Sequence, residues 1–260
     1  MIKLRQGNID SFLFILSVNK LHDILSKGGE DMNPEWYREL FEEMGIEYEN
    51  YSFTKNTENE VKWMIGEYLT NPEMKILDVG CGTGRHAISL ATKGYKNITA
   101  IDLSSSLIKA AKEVSKRKNV QVDFRVCDAR KLSFKNEFDA VICLCEGAFG
   151  LLENDTENYK ILKVIHKSLK KHGIFILTTL NLFREEKFDP MTCRAEFEEE
   201  ITRKDGQKKI IKCSDRSYSF PELKWVLEQH GFEVILGANP FSKEPIKYGS
   251  IEFMIVSKKL

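Results

Sequence analysis

Between Lys75 and Thr179 short apolar runs alternate with amphipathic stretches. The order is KILDVG, a helical pattern over 84–93, ITAID, a helical pattern over 105–117, VDFRVCD, FDAVICLC, a helical pattern over 156–171, and GIFILTT. Alternation of this kind is the pattern of repeated strand–helix–strand units, and such units return the chain in one direction, so their strands pair in parallel. The runs are almost continuously apolar, as expected of strands covered on both faces. The expected fold is α/β, a doubly wound, mostly parallel seven-stranded sheet with helices on both faces. Gly94 and Gly173 fall just past two of the helical stretches, where a left-handed residue is wanted.

The flanks have a different texture. Residues 9–26 form an amphipathic stripe (Phe14, Val18, Leu21, Leu25) that ends at Gly28-Gly29. A second helix is expected from Asn33-Pro34, with Pro34 at the first helical position and Trp36, Tyr37, Leu40 and Phe41 behind it. A third runs from about Glu58 to Leu69, with Thr57 and Glu60 as a capping box. Residues 1–70 therefore read as an N-terminal helical cap and 71–260 as the main domain. Residues 181–218 break the rhythm with charged stretches around Asp205-Gly206, a hairpin turn signal. They read as a β-hairpin insertion after strand five, placed to act as a substrate lid. A helix from Pro221, capped by Ser219 and Glu222, runs to Gly231. FEVILGA and IEFMIVSKK have no helix between them, which predicts an antiparallel pair at the sheet edge with the last strand reversed.

Lys+Arg and Asp+Glu are both 39, so a net charge of zero gives no strong nucleic-acid signal. The six cysteines contain no CxxC pair and no Cys/His zinc spacing, so no metal is expected and the thiols suit a reducing cytoplasm. Cys143 and Cys145, two apart, are expected on one face of a strand. The apolar run Phe12–Leu16 is too short to span a bilayer, and it lacks a basic leader and a cleavage site. A cytoplasmic chain without a membrane partner is expected, and its oligomeric state is left open.

The chemistry concentrates around KILDVGCGTGRHA, Lys75 to Ala87. A strand, a glycine-rich turn and a helix make a ligand cradle of backbone N–H groups. The dinucleotide pattern G-x-G-x-x-G would need a third glycine where Arg85 stands, and the Gly-Lys-Ser/Thr of a phosphate-binding loop is absent. Asp102 ends the next strand, 22 residues after Gly80, where a carboxylate can take both hydroxyls of a ribose. Asp128 ends the third strand at the same edge of the sheet, and FDAVICLCEG opens a fourth strand into a loop.

With these residues in this order, residues 74–181 resemble the class I S-adenosylmethionine-dependent methyltransferases. LDVGCGTGRHA matches the first motif, Asp102 in ITAIDLS the acidic second-strand position, Asp128-Ala129-Arg130 the adenine position, and FDAVICLC and LKKHGIFILTT the fourth- and fifth-strand motifs. The resemblance implies S-adenosyl-L-methionine as cofactor and S-adenosyl-L-homocysteine as product. It implies that Gly80, Cys81, Gly82 and Gly84 surround the methionine half, with Asp78 ordering the turn or meeting the amino group through water. Asp102 would hold the ribose, Leu103 would pack on the adenine, Asp128 would accept from the adenine amino group beside Ala129, and Cys145 would offer backbone to the methionyl part. Tyr37 and Tyr51 are expected to approach from the N-terminal cap.

A sulfonium methyl is already activated, so the protein's main task is alignment and exclusion of water. If the acceptor must lose a proton, Glu146, just after the fourth strand, is the candidate base. Tyr37, Arg85, Phe149, Asn181 and Tyr218 are the candidate substrate contacts, and His86 is expected to be merely exposed. The Asn/Asp-Pro-Pro-aromatic and Pro-Cys motifs of nucleic-acid methyltransferases are absent. Lys116-Arg117-Lys118 and Lys170-Lys171 are expected at helix C-termini, where lysines complement the dipole. The reading is methyl transfer to a small molecule. The alternatives are a protein or RNA methyltransferase, or a non-catalytic S-adenosylmethionine-binding regulator.

Overall fold

The computed structural model describes residues 33–260 apart from residues 146, 185, 204 and 205; the amphipathic stretch at 9–26 lies outside the described residues. Two helices come first, α1 (Trp36–Met44) and α2 (Thr57–Glu67), joined by short 3₁₀ segments. The alternating core follows as β1 (Lys75–Val79), α3 (Arg85–Thr92), β2 (Asn97–Asp102), α4 (Ser105–Arg117), β3 (Asp123–Val126), β4 (Phe138–Cys143), α5 (Asp155–Ser168) and β5 (Leu169–Leu180). Then come β6 (Arg194–Thr202), β7 (Lys208–Arg216), α6 (Phe220–Gln229), β8 (Phe232–Ala238) and β9 (Glu252–Lys259).

Seven strands form one sheet in the order β3-β2-β1-β4-β5-β9-β8. Strands β1 to β5 pair in parallel, and β9 is antiparallel to both β5 and β8. Adjacent residues of a strand point to opposite faces. In β1, Leu77 joins a core with Ile101, Val141 and Phe175, while Ile76 joins a second core with Ala100, Ile142 and Ile176. That is why the strands are apolar throughout. β6 and β7 make a separate two-stranded sheet, with the chain reversing at Gly206, whose φ is 83°.

The capping box at Ser219 and Glu222 forms as expected. Other local expectations are corrected. Pro34 lies in the turn before α1, whose N-cap is Glu35. Thr57 and Glu60 make no capping box, because Asn56 is the N-cap and Glu60 turns toward α3. Helix α5 stops at Ser168 and the chain enters β5 at once, so Lys170 and Lys171 belong to a strand. The left-handed residue there is His172 (φ 64°), not Gly173. Gly173 is needed for close approach instead, since a Cβ would stand 2.9 Å from Leu169 and 3.0 Å from the Lys170 carbonyl. The β4–β5 register shifts at this point, and Lys170 Nζ reaches Asp139 at 2.6 Å. Strand β4 ends at Cys143, so Cys145 sits in a turn with φ 53° and the two thiols share no strand face.

The hairpin is tied to the body at both ends. At its tip, Arg203 and Lys209 pair with Glu39 of α1, and Phe197 meets Trp36 edge-on at 6.3 Å. At its root, Arg194 donates to the Leu152 carbonyl, and Arg216 pairs with Asp155 and Glu222. No helix among the described residues is long and apolar enough to cross a membrane.

Candidate functional site

The strand order reverses between β1 and β4, and an open parallel sheet binds ligands at the carboxyl ends of its strands beside such a point. A cavity lies there, lined by Gly80, Asp102, Leu103, Asp128, Ala129 and Tyr37, among others.

Of the three motif glycines, only Gly80 lines this cavity. Gly80 has φ 70°, and a Cβ there would stand 1.9 Å from the Gly147 carbonyl oxygen. The turn after β1 and the turn after β4 thus touch backbone to backbone, which no larger residue allows. Gly84, also left-handed at φ 75°, points elsewhere: a Cβ would meet the Phe124 ring at 2.6 Å. Its absence lets α3 sit close to β3. Gly82 lies beside the Tyr48 ring.

Three carboxylates stand at this edge. Asp102 ends β2 and accepts from Gly82 N at 2.8 Å and Ser104 N at 2.9 Å. Those bonds fix the glycine turn to the start of α4. Burial nevertheless pushes the Asp102 carboxyl up to about 6. Asp128 caps the short 3₁₀ turn Ala129–Lys131 and takes Arg130 at 2.7 Å and Arg38 of α1 at 3.3 Å. Burial raises its pKa, but the two guanidinium groups outweigh that and hold it below the ordinary carboxylate range. Asp78, in β1, is 2% exposed, and among the described residues its Oδ2 has no hydrogen-bond partner. Burial pushes this carboxyl up to about 7, against the opposing pull of Arg85. Cys81 is buried next to it, and burial holds its thiol well above the ordinary value.

Arg85 and His86 are not exposed. Arg85 Nη1 donates to Thr57 Oγ1 at 2.8 Å and to Glu60 Oε2 at 3.0 Å, and Nη2 contacts the Cys145 sulfur. His86 Nε2 lies 2.6 Å from the same Glu60 oxygen and the residue is 4% exposed. Burial, with the charge of Arg85, pushes the imidazole down to about 4, so it is neutral at physiological pH. Burial raises the Glu60 carboxyl, but His86 and Arg85 hold it below its usual range. This network joins α2, α3 and the turn after β4, whose Cys145 N–H donates to Thr178 Oγ1 at 2.7 Å. The Thr57–Glu60 spacing in the sequence was a signal of this network rather than of a cap: residues three apart on a helix share a face.

The remaining candidates divide. Leu103, Ala129 and Tyr37 line the cavity, together with Arg38, Phe41 and Leu151, which the motifs did not single out. Phe149 and Tyr218 stack on each other 5.0 Å apart, fully buried, with the Tyr218 hydroxyl donating to Asp155. Asn181 is buried too, bridging to Tyr218 and donating to the Ser250 carbonyl. These three hold the hairpin's root and do not line the cavity. Tyr51 is on the hairpin side, donating to Glu199. Glu146 lies outside the described residues.

A family model described as a methyltransferase domain matches residues 70–231, more than half of the chain. An uncharacterized protein of Methanocaldococcus jannaschii is 30% identical over 214 residues, 75% of this chain and 78% of that protein. A ubiquinone biosynthesis O-methyltransferase of Xanthomonas campestris is 37% identical over 112 residues, 42% of this chain and 44% of its own length. The match thus spans under half of that relative. Among solved structures, an S-adenosylmethionine-dependent methyltransferase from Clostridium acetobutylicum superposes with a TM-score of 0.68 at 16% identity, covering 82% of this chain and 96% of that one.

Proposed function

The chain belongs to the class I S-adenosylmethionine-dependent methyltransferase family, and from that premise we propose that it moves the cofactor's methyl group to a nucleophile on a small molecule by in-line displacement. The observation that carries this reading is the cavity at the ends of β1, β2 and β3, where Asp102 and Asp128 flank Leu103 and Ala129. The unpartnered Oδ2 of Asp78 is a second fit to the cofactor, because a buried oxygen of that kind suits an ammonium group.

When bound, S-adenosylmethionine supplies a methyl already activated on a sulfonium. The chain's residues then have four tasks. Asp102 holds the ribose hydroxyls with the oxygen lone pairs that Gly82 and Ser104 leave free. Asp128 accepts from the adenine amino group. Asp78, which does not line the cavity itself, meets the amino-acid end through water. The apolar wall of Leu103, Phe41 and Leu151 keeps water out. Gly82 and Gly84 act by shaping the turn, and Cys145 by presenting its backbone. Arg85 orders that turn from behind.

The acceptor would lie beyond the turn after β4, under the hairpin of residues 181–218, with Glu146 as the base when one is needed. A small-molecule acceptor is supported by the name of the ubiquinone-pathway relative. A cytoplasmic setting is supported by six free cysteines.

The test is calorimetric titration with S-adenosylmethionine, followed by methyl-release assays over metabolite, peptide and RNA pools. Binding with turnover on the metabolite pool is expected; no binding overturns the reading, and binding without turnover on any pool replaces it with a regulator. Asp102→Ala should weaken binding by about 10- to 100-fold, since hydrogen bonds to a charged acceptor are worth about 1.5–3 kcal/mol. A Glu146→Gln variant that keeps full turnover removes Glu146 from the chemistry.

A further inference from the structure

We propose that the Tyr37 hydroxyl hydrogen-bonds the purine ring of the cofactor, so that helix α1, and not the sheet edge alone, sets nucleobase specificity. This rests on the methyltransferase reading above and assigns Tyr37, a candidate for both cofactor and acceptor, to the cofactor's purine ring.

Tyr37 lines the cavity together with Asp128 and Ala129. It is 4% exposed, and among the described residues its hydroxyl has no hydrogen-bond partner. Buried hydroxyls are nearly always bonded, so an unpartnered one on a cavity wall points to a ligand. The charged groups that act on the hydroxyl are Arg130, Arg38, Glu35 and Glu153. The two arginines are already committed, Arg130 to Asp128 and Glu157, and Arg38 to Glu35 and Asp128. Burial raises the phenol above its ordinary value, so it stays protonated and donates. Adenine offers ring nitrogens as acceptors, whereas its amino group already has Asp128.

The position of the hydroxyl is set before any ligand arrives. Glu42 of α1 accepts from the Ser105 hydroxyl at 2.7 Å and the Ser104 hydroxyl at 3.0 Å at the start of α4. One turn earlier, Glu39 pairs with Arg203 and Lys209 of the hairpin. Trp36 packs edge-on against the Tyr37 ring at 6.0 Å. A donor held in this way binds without ordering cost, which favours specificity over mere contact.

The experiment compares S-adenosylhomocysteine with its 1-deaza, 3-deaza and 7-deaza analogues, by calorimetry, on the wild type and on Tyr37→Phe. Phenylalanine keeps the ring packing, and a thermal melt checks the fold. The wild type should bind one analogue about fivefold more weakly because a single hydrogen bond is lost. Tyr37→Phe should bind the parent compound more weakly by a similar factor and lose nothing further with that analogue. Equal affinity of Tyr37→Phe and wild type for the parent compound overturns the proposal. So does a variant that keeps the wild-type discrimination among all three analogues. Failure of the wild type to bind S-adenosylhomocysteine at all is distinguishable, because it removes the methyltransferase reading first.

Discussion

At the scale of single residues, the site is governed by where carboxylates and glycines meet buried surroundings. Asp78 is the clearest case. Its carboxyl is raised from 3.8 to about 7 by burial, so without a cationic partner the ionised form is disfavoured. In the ligand-free protein this contribution favours the fold below the ordinary carboxylate pKa and is lost as pH rises toward about 7. A bound ammonium reverses the preference. Affinity for S-adenosylhomocysteine should therefore rise by at least about tenfold between about pH 5 and about pH 8, and Asp78→Asn should reduce that rise to the part contributed by Asp102, raised to about 6. Calorimetry across this range checks it. Glycine substitutions give a contrast at the same scale. Gly80→Ala adds a Cβ 1.9 Å from the Gly147 oxygen at φ 70° and should destabilise by more than about 2 kcal/mol in urea unfolding. Gly66→Ala, inside α2 with nothing within 4 Å, should instead stabilise by about 0.4–1 kcal/mol.

At the scale of elements, caps and packing matter more than surface charge. The Ser219–Glu222 box starts α6 and its loss in Ser219→Ala should cost about 1 kcal/mol. The ion pairs of the hairpin are partly exposed. Lys209→Ala, which removes one partner of Glu39, should change stability by less than about 1 kcal/mol. Trp36→Ala, which empties a buried position between α1 and the hairpin, should cost about 3–5 kcal/mol. Denaturant melts of the three variants would rank them, and a Lys209→Ala effect as large as that of Trp36→Ala would contradict the ranking. Element type was legible in the sequence wherever periodicity was strong. The α4 helix at 105–117 and the hairpin around Gly206 followed from local signals alone. The errors came where tertiary contacts overrode local ones. Glu60 left its expected cap for Arg85 and His86 because a buried cation must be paired. Residues 169–171 left the expected helix because the chain enters β5 at Leu169, which pairs with Phe138 of β4.

At the scale of the whole molecule, α1 belongs to the wall of the cavity and the hairpin packs on α1. β6 and β7 form their own sheet, so the seven-stranded sheet does not need them for pairing. Yet Ile201, Ile211 and Cys213 are buried in the same core as Trp36 and Phe149. Replacing residues 194–216 by a short glycine-serine link should leave a cooperatively folded α/β sheet with a lowered melting temperature. Methyl transfer should fall far more than cofactor affinity, because the hairpin's root holds the loop at Leu152 and Asp155. Circular dichroism and a methyl-release assay would measure both. A variant with unimpaired turnover would remove the hairpin from acceptor binding.

The chain's own order of residues determined the sheet, the family and the position of Asp102 at the end of β2, because each depends on local periodicity and short spacing. Asp128, expected to end the third strand, falls beyond it, since that strand stops at Val126 and Asp128 caps the turn that follows. The order of residues could not reveal that Arg38 reaches the cavity beside Tyr37, that Gly84 serves packing against Phe124, or that Arg85 is buried between α2 and the turn after β4. Those facts join residues between 25 and 90 positions apart. Only tertiary packing brings such pairs together, because burial forces each charge to find its partner wherever the fold supplies one.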